Sequence, residues 1–255
     1  MKRSVELREA EYHKLADYET WYWWYRAERL IIRDTIDALA MPAPARVLDV
    51  GCGTGRNLVA VCDGSTLQGF ALDRADTAVA MWPDPIRQRG CCGEANALPY
   101  ADGSFDLALC IDVLQCAGVT PERAVREIAR VLRPDGSLVV LAPAYQWMLS
   151  RHDDAVHGVR RFTARQLKQL ARDAGLHVNR ACYQFPTFFP VIAAVRLWRK
   201  RGRNKRDTVP TSDLFHVPAP VNAMLFAMWR MERWAVRRFG APFGSTVLLL
   251  ARKVR

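Results

Sequence analysis

Val47-Leu48-Asp49-Val50-Gly51-Cys52-Gly53-Thr54-Gly55-Arg56-Asn57 follows a Pro42-Ala43-Pro44 loop. Its short apolar run reads as a buried parallel strand, and three glycines within five residues read as a tight turn leaving the strand's carboxyl end. In a doubly wound sheet that is where nucleotide-type ligands bind: the crevice beyond the strand ends receives them, glycines let the backbone come close, and amides at the start of the next helix are free to donate. Spacing separates the ligand classes. A dinucleotide fold wants G-x-G-x-x-G, which puts the third glycine at position 56, where this chain has Arg56. Here the pattern is G-x-G-x-G with an acid, Asp49, two residues ahead of it. That suits a ligand with a cationic amino-acid end and no pyrophosphate.

Working outward, Gly69-Phe70-Ala71-Leu72-Asp73 reads as a second buried strand ending in an acid. A carboxylate at that tip accepts hydrogen bonds from both hydroxyls of a ribose, so Asp73 is the expected ribose ligand. Further on stand Glu94-Ala95 ahead of Leu98-Pro99, and an apolar run from Phe105 to Ile111 leading into Asp112-Val113-Leu114.

The glycine stretch resembles the first motif of the class I S-adenosylmethionine-dependent methyltransferases, in the form common to their small-molecule branch (methyltransferase type 11-like), and the later stations match that family in order. The resemblance implies S-adenosylmethionine as cofactor. It places Asp49, Gly51, Cys52, Gly53, Gly55, Asn57, Asp73, Arg74, Glu94, Ala95, Asp112, Val113 and Leu114 around that cofactor. The family usually continues with Glu-His after the fourth strand. This chain has Gln115-Cys116, a departure on the substrate side of the cleft.

The 255 residues, half hydrophobic and a quarter charged, have an ordinary globular composition that supports one substantial core. Seven cysteines without a C-x-x-C pair read as reduced core thiols of a cytosolic protein. The charged amino end does not look like a signal peptide, and no run reaches the roughly 18 to 20 apolar residues of a spanning helix. The net charge of +11 is uneven: residues 1–150 carry 16 Lys and Arg against 20 Asp and Glu, and residues 151–255 carry 21 against 6. The basicity therefore serves the carboxyl-terminal third, whose candidate partners are an acidic substrate, an anionic membrane surface or nucleic acid.

Residues 1–40 predict two helices, which the resemblance implies cap the cleft and which could equally pack on the sheet edge; they carry a dense aromatic knot, Trp21 to Tyr25. Five consecutive aromatics cannot all face one core, so some are expected to be exposed or to cover a ligand. Trp24 and Arg26 are expected to meet the substrate, Arg26 or Arg29 through an anionic group. Thr120-Pro121-Glu122 starts a helix with Thr120 as N-cap, ending near Leu132 at an Arg133-Pro134-Asp135-Gly136 turn. Ser137 to Ala142 reads as the fifth strand. Beyond it, Tyr145, Trp147 and Gln115 are expected to line the substrate side. His152 and His157, with Asp153, Asp154 and three arginines within eleven residues, are the candidate general bases. No metal is expected. Thr163 and Gln166 form a capping box that opens a helix closed by Gly175.

Leu176 to Phe185 and Ser245 to Lys253 read as the sixth and seventh strands, which the resemblance implies form an antiparallel hairpin at the sheet edge, separated here by an insertion over residues 185–244. The expected architecture is α/β: a doubly wound, seven-stranded, mostly parallel Rossmann-like sheet with an amino-terminal helical cap (1–40), a core (41–184), a basic and aromatic helical insertion (185–244) and a closing strand (245–255). In the insertion, Arg199 to Arg206 is nearly all basic. A helix from about Val221 to Phe239 mixes Met224, Trp229, Met231 and Trp234 with Arg230, Arg233, Arg237 and Arg238, a pattern that fits an interfacial helix, a lid over the cleft, or both.

The leading function is methyl transfer to a small-molecule or lipid-like oxygen, nitrogen or carbon acceptor, in a cytoplasmic protein able to associate with membranes. The alternatives are an RNA methyltransferase or a cofactor-binding protein without catalysis. Nucleic acid is disfavoured because the Asn- or Asp-Pro-Pro-Tyr type motif of base methylators is replaced by Asp112-Val113-Leu114-Gln115, and because the basic residues alternate with large apolar ones. A dehydrogenase is disfavoured by Arg56.

Overall fold

The computed structural model describes residues 2–39, 41–201 and 216–254, with side chains described for 12–39, 41–198 and 216–254. In chain order the elements are α1 (Lys2–Trp21), α2 (Trp23–Asp37), β1 (Ala45–Val50), α3 (Arg56–Cys62), β2 (Leu67–Asp73), α4 (Asp76–Ala80), α5 (Asp84–Arg87), β3 (Gly90–Cys92), β4 (Phe105–Ile111), α6 (Pro121–Val131), β5 (Leu132–Pro143), α7 (Arg151–Ala155), α8 (Ala164–Asp173), β6 (Leu176–Gln184), α9 (Phe189–Arg201), α10 (Ala219–Phe239) and β7 (Thr246–Lys253).

The strands form one sheet in the order β3-β2-β1-β4-β5-β7-β6. Neighbours pair in parallel from β3 to β5, and β7 runs antiparallel to both β5 and β6. The central strands are apolar on both faces because both are covered: every residue of β4 is buried. On one face, α6 and α8 bring Val125, Ile128, Leu167 and Ala171 against Leu138, Val140 and Leu249. On the other, α2, α3 and α10 bring Ile32, Leu58 and Trp229 against Leu107, Leu109, Val139 and Leu248.

The capping box at Thr163 and Gln166 is formed, and Gly175 takes the left-handed conformation past the end of α8, at φ 79°. At α6 the expected cap is only positional. Pro121 occupies the first turn, but the Thr120 side chain makes no capping bond, while its backbone N–H donates to Asn96 Oδ1 at 2.9 Å. The turn expected at residues 133–136 is absorbed into the start of β5: Asp135 takes a φ of 67° and the pairing with β4 shifts register between Phe105 and Leu107. The cysteines are free thiols, but only Cys110 and Cys182 are buried, and Cys92 is exposed.

The two helices of the insertion lie against the amino-terminal cap. Asn222 of α10 accepts from the Trp23 backbone N–H at 2.8 Å and donates to the Trp21 carbonyl at 2.9 Å, closing the gap between α1 and α2. Arg233 and Arg237 converge on Asp34 of α2, with Arg233 Nε to Oδ2 at 2.6 Å. Trp229 is 1% exposed and packs between Phe185 and Phe226. These contacts bear on two of the open alternatives. The aromatic knot is absorbed, with Tyr22 and Trp23 buried and Trp21, Trp24 and Tyr25 half-buried. Trp229, Arg233 and Arg237 serve internal packing and are not turned to a lipid phase. The basic side chains from 199 to 206 lie outside the described residues.

Candidate active site

The site begins at the carboxyl end of β1, where Gly51, Gly53 and Gly55 all take positive φ. The turn lies against the exit of β4: a Cβ on Gly51 would stand 2.5 Å from Val113 Cγ2. At Gly53 a Cβ would meet nothing within 4 Å, so that face of the turn borders open space. The Gly53 peptide is held from both ends. Its N–H donates to Asp73 Oδ2 at 2.8 Å, and its carbonyl accepts from Trp82 Nε1 at 2.8 Å. Asp73 also takes the Ala75 N–H at 2.9 Å, which fixes the carboxylate at the tip of β2.

The amino-terminal helices close over this turn. Thr54 Oγ1 donates to Glu19 Oε2 of α1 at 2.5 Å, and Arg29 of α2 donates to the Glu19 carbonyl. Tyr12 of α1 stands within electrostatic reach of Asp73, Arg74, Cys52 and Cys116. Burial, and then the Asp73 charge, push its phenol well up.

A second group of acids gathers beyond β4. Asp112 takes a φ of 53° and receives Gln115 Nε2 at 3.1 Å. Though the residue is exposed at the surface, the packing around its carboxyl raises it to about 6 against the opposing pull of Gln115 and Arg161, with Asp153 adding to the rise. Glu28 of α2 is 4% exposed and accepts from Trp24 Nε1 at 2.8 Å. Burial, and then Asp112, push it well above the usual carboxylate range. Asp49 is 2% exposed, and burial, Asp73 and Glu19 raise it to about 7. Tyr25 lies beside Glu28, Glu19 and Asp112.

Glu19, Glu28, Asp49, Asp73 and Asp112 therefore line one crevice, with Arg29 and Arg56 beside Glu19 and Arg161 acting on Asp112, and Arg56 reaches Glu19 at 3.9 Å. Acids in that excess disfavour a pyrophosphate and favour a cation, whose approach returns them to the ionised form. Arg29 Nη1 is itself buried without an acceptor among the described residues. A ligand with an ammonium, a carboxylate and a ribose meets Asp49, Arg29 and Asp73 in turn, with open space at Gly53 for its body. S-adenosylmethionine has those three groups, so the residues present fit it.

A sheet of this order with one antiparallel strand next to its edge, carrying a glycine turn after β1 and an acid at the tip of β2, is the class I methyltransferase fold. Residues 48–140 match the family model described as a methyltransferase domain, and this part of the chain is a class I S-adenosylmethionine-dependent methyltransferase domain. The chain is similar to a demethylmenaquinone methyltransferase of Beutenbergia cavernae, 36% identical over 44% of this chain and 47% of that one. It is also similar to norajmaline N-methyltransferase of Rauvolfia serpentina, 32% identical over 40% and 37%. The chain thus spans less than half the length of these relatives. A solved structure of a Haloferax volcanii putative methyltransferase in complex with its Trm112 activator superposes with a TM-score of 0.61 at 21% identity, covering 97% of both chains, which is a likeness of fold.

The structure groups most of the expected cofactor residues. Asp49, Gly51, Cys52, Gly53, Gly55, Asn57 and Asp73 form the turn and its floor, and Asp112, Val113 and Leu114 border it at β4. Arg74 and Glu94 are exposed at the rim, and Ala95 is buried beneath it. Of the expected substrate residues, Gln115 and Trp24 join the acids. Arg26 instead lies 4.1 Å over the Phe226 ring. Tyr145 and Trp147 belong to a separate aromatic group, with Tyr145 stacked 5.1 Å from Tyr183 and both rings near Phe189. His152 is half-buried and His157 exposed, with α7 between β5 and α8. Of the two acids beside them, Asp153 is held by Arg161 at 2.7 Å, Arg196 at 3.4 Å and the Ser150 N–H at 2.8 Å, and Asp154 is exposed. Sequence reasoning missed Tyr12, Glu19, Tyr25, Glu28 and Trp82. Only the absence of Pro and Gly from residues 4–39 hinted that continuous helices would carry side chains across the cleft. Two surface hollows of about 310 and 340 Å³, one at Val119–Glu122 and one along the outer side of α3, lie apart from the crevice.

Proposed function

We propose that the chain is an S-adenosylmethionine-dependent methyltransferase whose acceptor is a small molecule with a substantial apolar part. The observation that carries this reading is the crevice of five carboxylates beyond β1, β2 and β4, open at Gly53 and fixed at Asp73. The bound cofactor supplies a methyl group already made electrophilic by a sulfonium. The chain's task is then to hold the acceptor in line and to exclude water. Asp73 holds the ribose, Asp49 and Arg29 hold the amino-acid end, and α1 and α2 close over the site through the Thr54–Glu19 hydrogen bond. The names of the similar proteins, which include a demethylmenaquinone and a norajmaline methyltransferase, agree with an apolar acceptor.

The outward face of α10 supports membrane delivery of that acceptor to a cytoplasmic enzyme. Met224, Met228, Met231, Trp234 and Phe239 are 54, 41, 79, 69 and 75% exposed. Arg230 and Arg238 flank them, and the single acid of the helix, Glu232, is turned inward to accept the Thr187 N–H at 2.7 Å. An apolar stripe edged by guanidinium groups suits an anionic bilayer surface. Among the described residues, no helix is long and apolar enough to cross a membrane.

The test is incubation of the full chain with methyl-labelled cofactor and, separately, membrane extract, soluble metabolite extract and RNA. Label entering a small molecule supports the proposal, and label entering RNA alone overturns it in favour of the nucleic-acid reading. For the membrane contact, flotation with anionic vesicles is expected, weakened by high salt and by Met231→Glu with Trp234→Glu. Protein that stays at the bottom of the gradient at low salt removes that part of the proposal.

A further inference from the structure

We propose that Trp82 is a positioning residue for the amino-acid end of the cofactor: by taking the Gly53 carbonyl, its indole N–H turns the Gly53–Thr54 peptide so that the Thr54 N–H is presented to the cofactor's carboxylate. This rests on the methyltransferase reading and adds to it a residue that acts through the glycine turn.

Cys52 to Gly55 form a β-turn closed by the Gly55 N–H on the Cys52 carbonyl at 2.9 Å. Gly53, at φ 54°, and Thr54, whose φ is not positive, are its central residues, the pattern of a type II′ turn. The peptide between them is the part of such a turn that can rotate, since the two primed types differ chiefly in which way it faces. A Cβ on Gly53 would meet nothing within 4 Å, so packing at that α-carbon does not hold the peptide. Hydrogen bonds do. On one side of the α-carbon the Gly53 N–H donates to Asp73 Oδ2 at 2.8 Å, and on the other the Gly53 carbonyl accepts from Trp82 Nε1 at 2.8 Å.

The seat of Trp82 is shaped for an indole. The residue is 2% exposed, and its ring lies so close to β3 that a Cβ on Gly90 would stand 2.1 Å from Trp82 Cζ3. On the turn side, a Cβ on Gly55 would stand 3.4 Å from Trp82 Cδ1. The ring is thus wedged between two glycines, which fixes where its N–H points. A phenyl ring would also fill core at this place; what the indole adds is a donor that needs a buried acceptor, and the acceptor it holds is the carbonyl of the rotatable peptide.

A trans peptide carries its carbonyl and its N–H on opposite sides. With the Gly53 carbonyl turned to Trp82, the Thr54 N–H points away from the indole. Thr54 is 7% exposed, and its N–H has no acceptor among the described residues. An independent observation points to a ligand: Arg29 Nη1 is likewise buried without an acceptor among the described residues. Both residues are bonded to Glu19, Thr54 through Oγ1 to Oε2 at 2.5 Å and Arg29 through Nη2 to the carbonyl at 2.5 Å, so one residue ties the two unmet donors together. Buried donors are ordinarily paired. A backbone N–H beside a guanidinium suits a carboxylate, which the amino-acid end of the cofactor carries. A nucleoside without that end leaves both donors unmet.

Calorimetry of the full chain with two ligands tests the role of Trp82. One is S-adenosylhomocysteine, the demethylated cofactor product; the other is 5′-methylthioadenosine, which keeps the nucleoside and the thioether and lacks the amino-acid end. Trp82→Phe keeps a ring in the seat and removes the donor. It is expected to weaken binding of the product by about tenfold or more and of methylthioadenosine by less than about threefold. An equal loss for both ligands would make Trp82 a packing residue only, and an unchanged product affinity would leave its N–H without a role; either result overturns the proposal. The wild-type chain gives a second measurement that does not depend on how the variant folds. In its amide NMR spectrum the Thr54 proton is expected to move downfield with the product and to stay in place with methylthioadenosine, and a Thr54 signal that responds alike to both ligands overturns the proposal. A wild-type chain that binds neither ligand refutes the methyltransferase reading instead, so the two failures are distinguishable.

Discussion

Binding of S-adenosylmethionine to this chain should expel a proton from Asp49. In the protein that carboxyl is buried, with Asp73 and Glu19 adding like charge, and it titrates at about 7, so it is protonated below neutrality. An ammonium placed against it restores the ionised form and returns it to about the ordinary carboxylate value near 4. Ligand then binds the deprotonated state preferentially. Affinity should rise about tenfold per pH unit below 7, which is about 1.4 kcal/mol per unit, and flatten above it, giving about a tenfold difference between pH 6 and pH 8. Without ligand the sign reverses. An acid raised in the folded state contributes stability that is fully present below about pH 4 and lost as pH rises through about 7, so the ligand-free protein should be less stable at pH 8 than at pH 5, by about 2.6 kcal/mol from this group. The assay is calorimetry of the demethylated product, which keeps the ammonium, in two buffers of different ionisation enthalpy, so that proton release is counted directly. Asp49→Asn should abolish the proton release and the slope together. The reasoning is falsified if wild-type affinity is flat from pH 5.5 to 8 with no proton release.

Asp73→Ala should weaken cofactor binding by about 1.5 to 3 kcal/mol, the scale of hydrogen bonds to a charged group, and unchanged calorimetric affinity would remove the ribose assignment. Gly53→Val should abolish binding, since it forces a β-branched residue into positive φ and fills the open space beside the turn; a variant that binds normally would show that the cofactor lies elsewhere. Trp229→Ala, which empties the contact between α10 and the sheet, should cost about 3 to 5 kcal/mol in denaturant unfolding, whereas a loss below about 1 kcal/mol would mean that the insertion is not part of the cooperative fold. With Asp153 held by two arginines, His152→Ala and His157→Ala should each lower turnover by less than about tenfold; a fall of about 100-fold in either would make that histidine the general base.

Much of this was legible where one residue type answers one physical need. Apolar runs ending in acids give the parallel strands, three glycines after β1 give the turn, and Asp73 falls at the tip of β2 because a strand must end there for the next helix to begin. The turn's attachments were harder to read. Trp82 closes on Gly53 from 29 residues away, and nothing in its own neighbourhood of prolines and small residues marks it. The helix acids of the crevice were hidden for a related reason. Glu19 and Glu28 lie in helices whose composition reads as surface, yet those helices are held in place by distant partners: Thr54 and Arg56 on Glu19, and Asn222 and Arg233 of α10, some 199 residues on, at Trp23 and Asp34. Local pattern carries no information about a clamp of that span. Tyr145, Trp147 and Arg26 show a different limit: each is of a type that binds substrates, and each has a ring to pack on within the protein that local sequence does not reveal.

The most direct test of the methyltransferase assignment is equilibrium binding of S-adenosylmethionine and of a nicotinamide dinucleotide to the full chain, followed by transfer of labelled methyl from the bound cofactor into a small-molecule extract. The five-carboxylate crevice predicts S-adenosylmethionine binding that is lost in Gly53→Val, no binding of the dinucleotide, and label in a small molecule that disappears in the same variant. Dinucleotide binding, or label transfer that survives Gly53→Val, would contradict it.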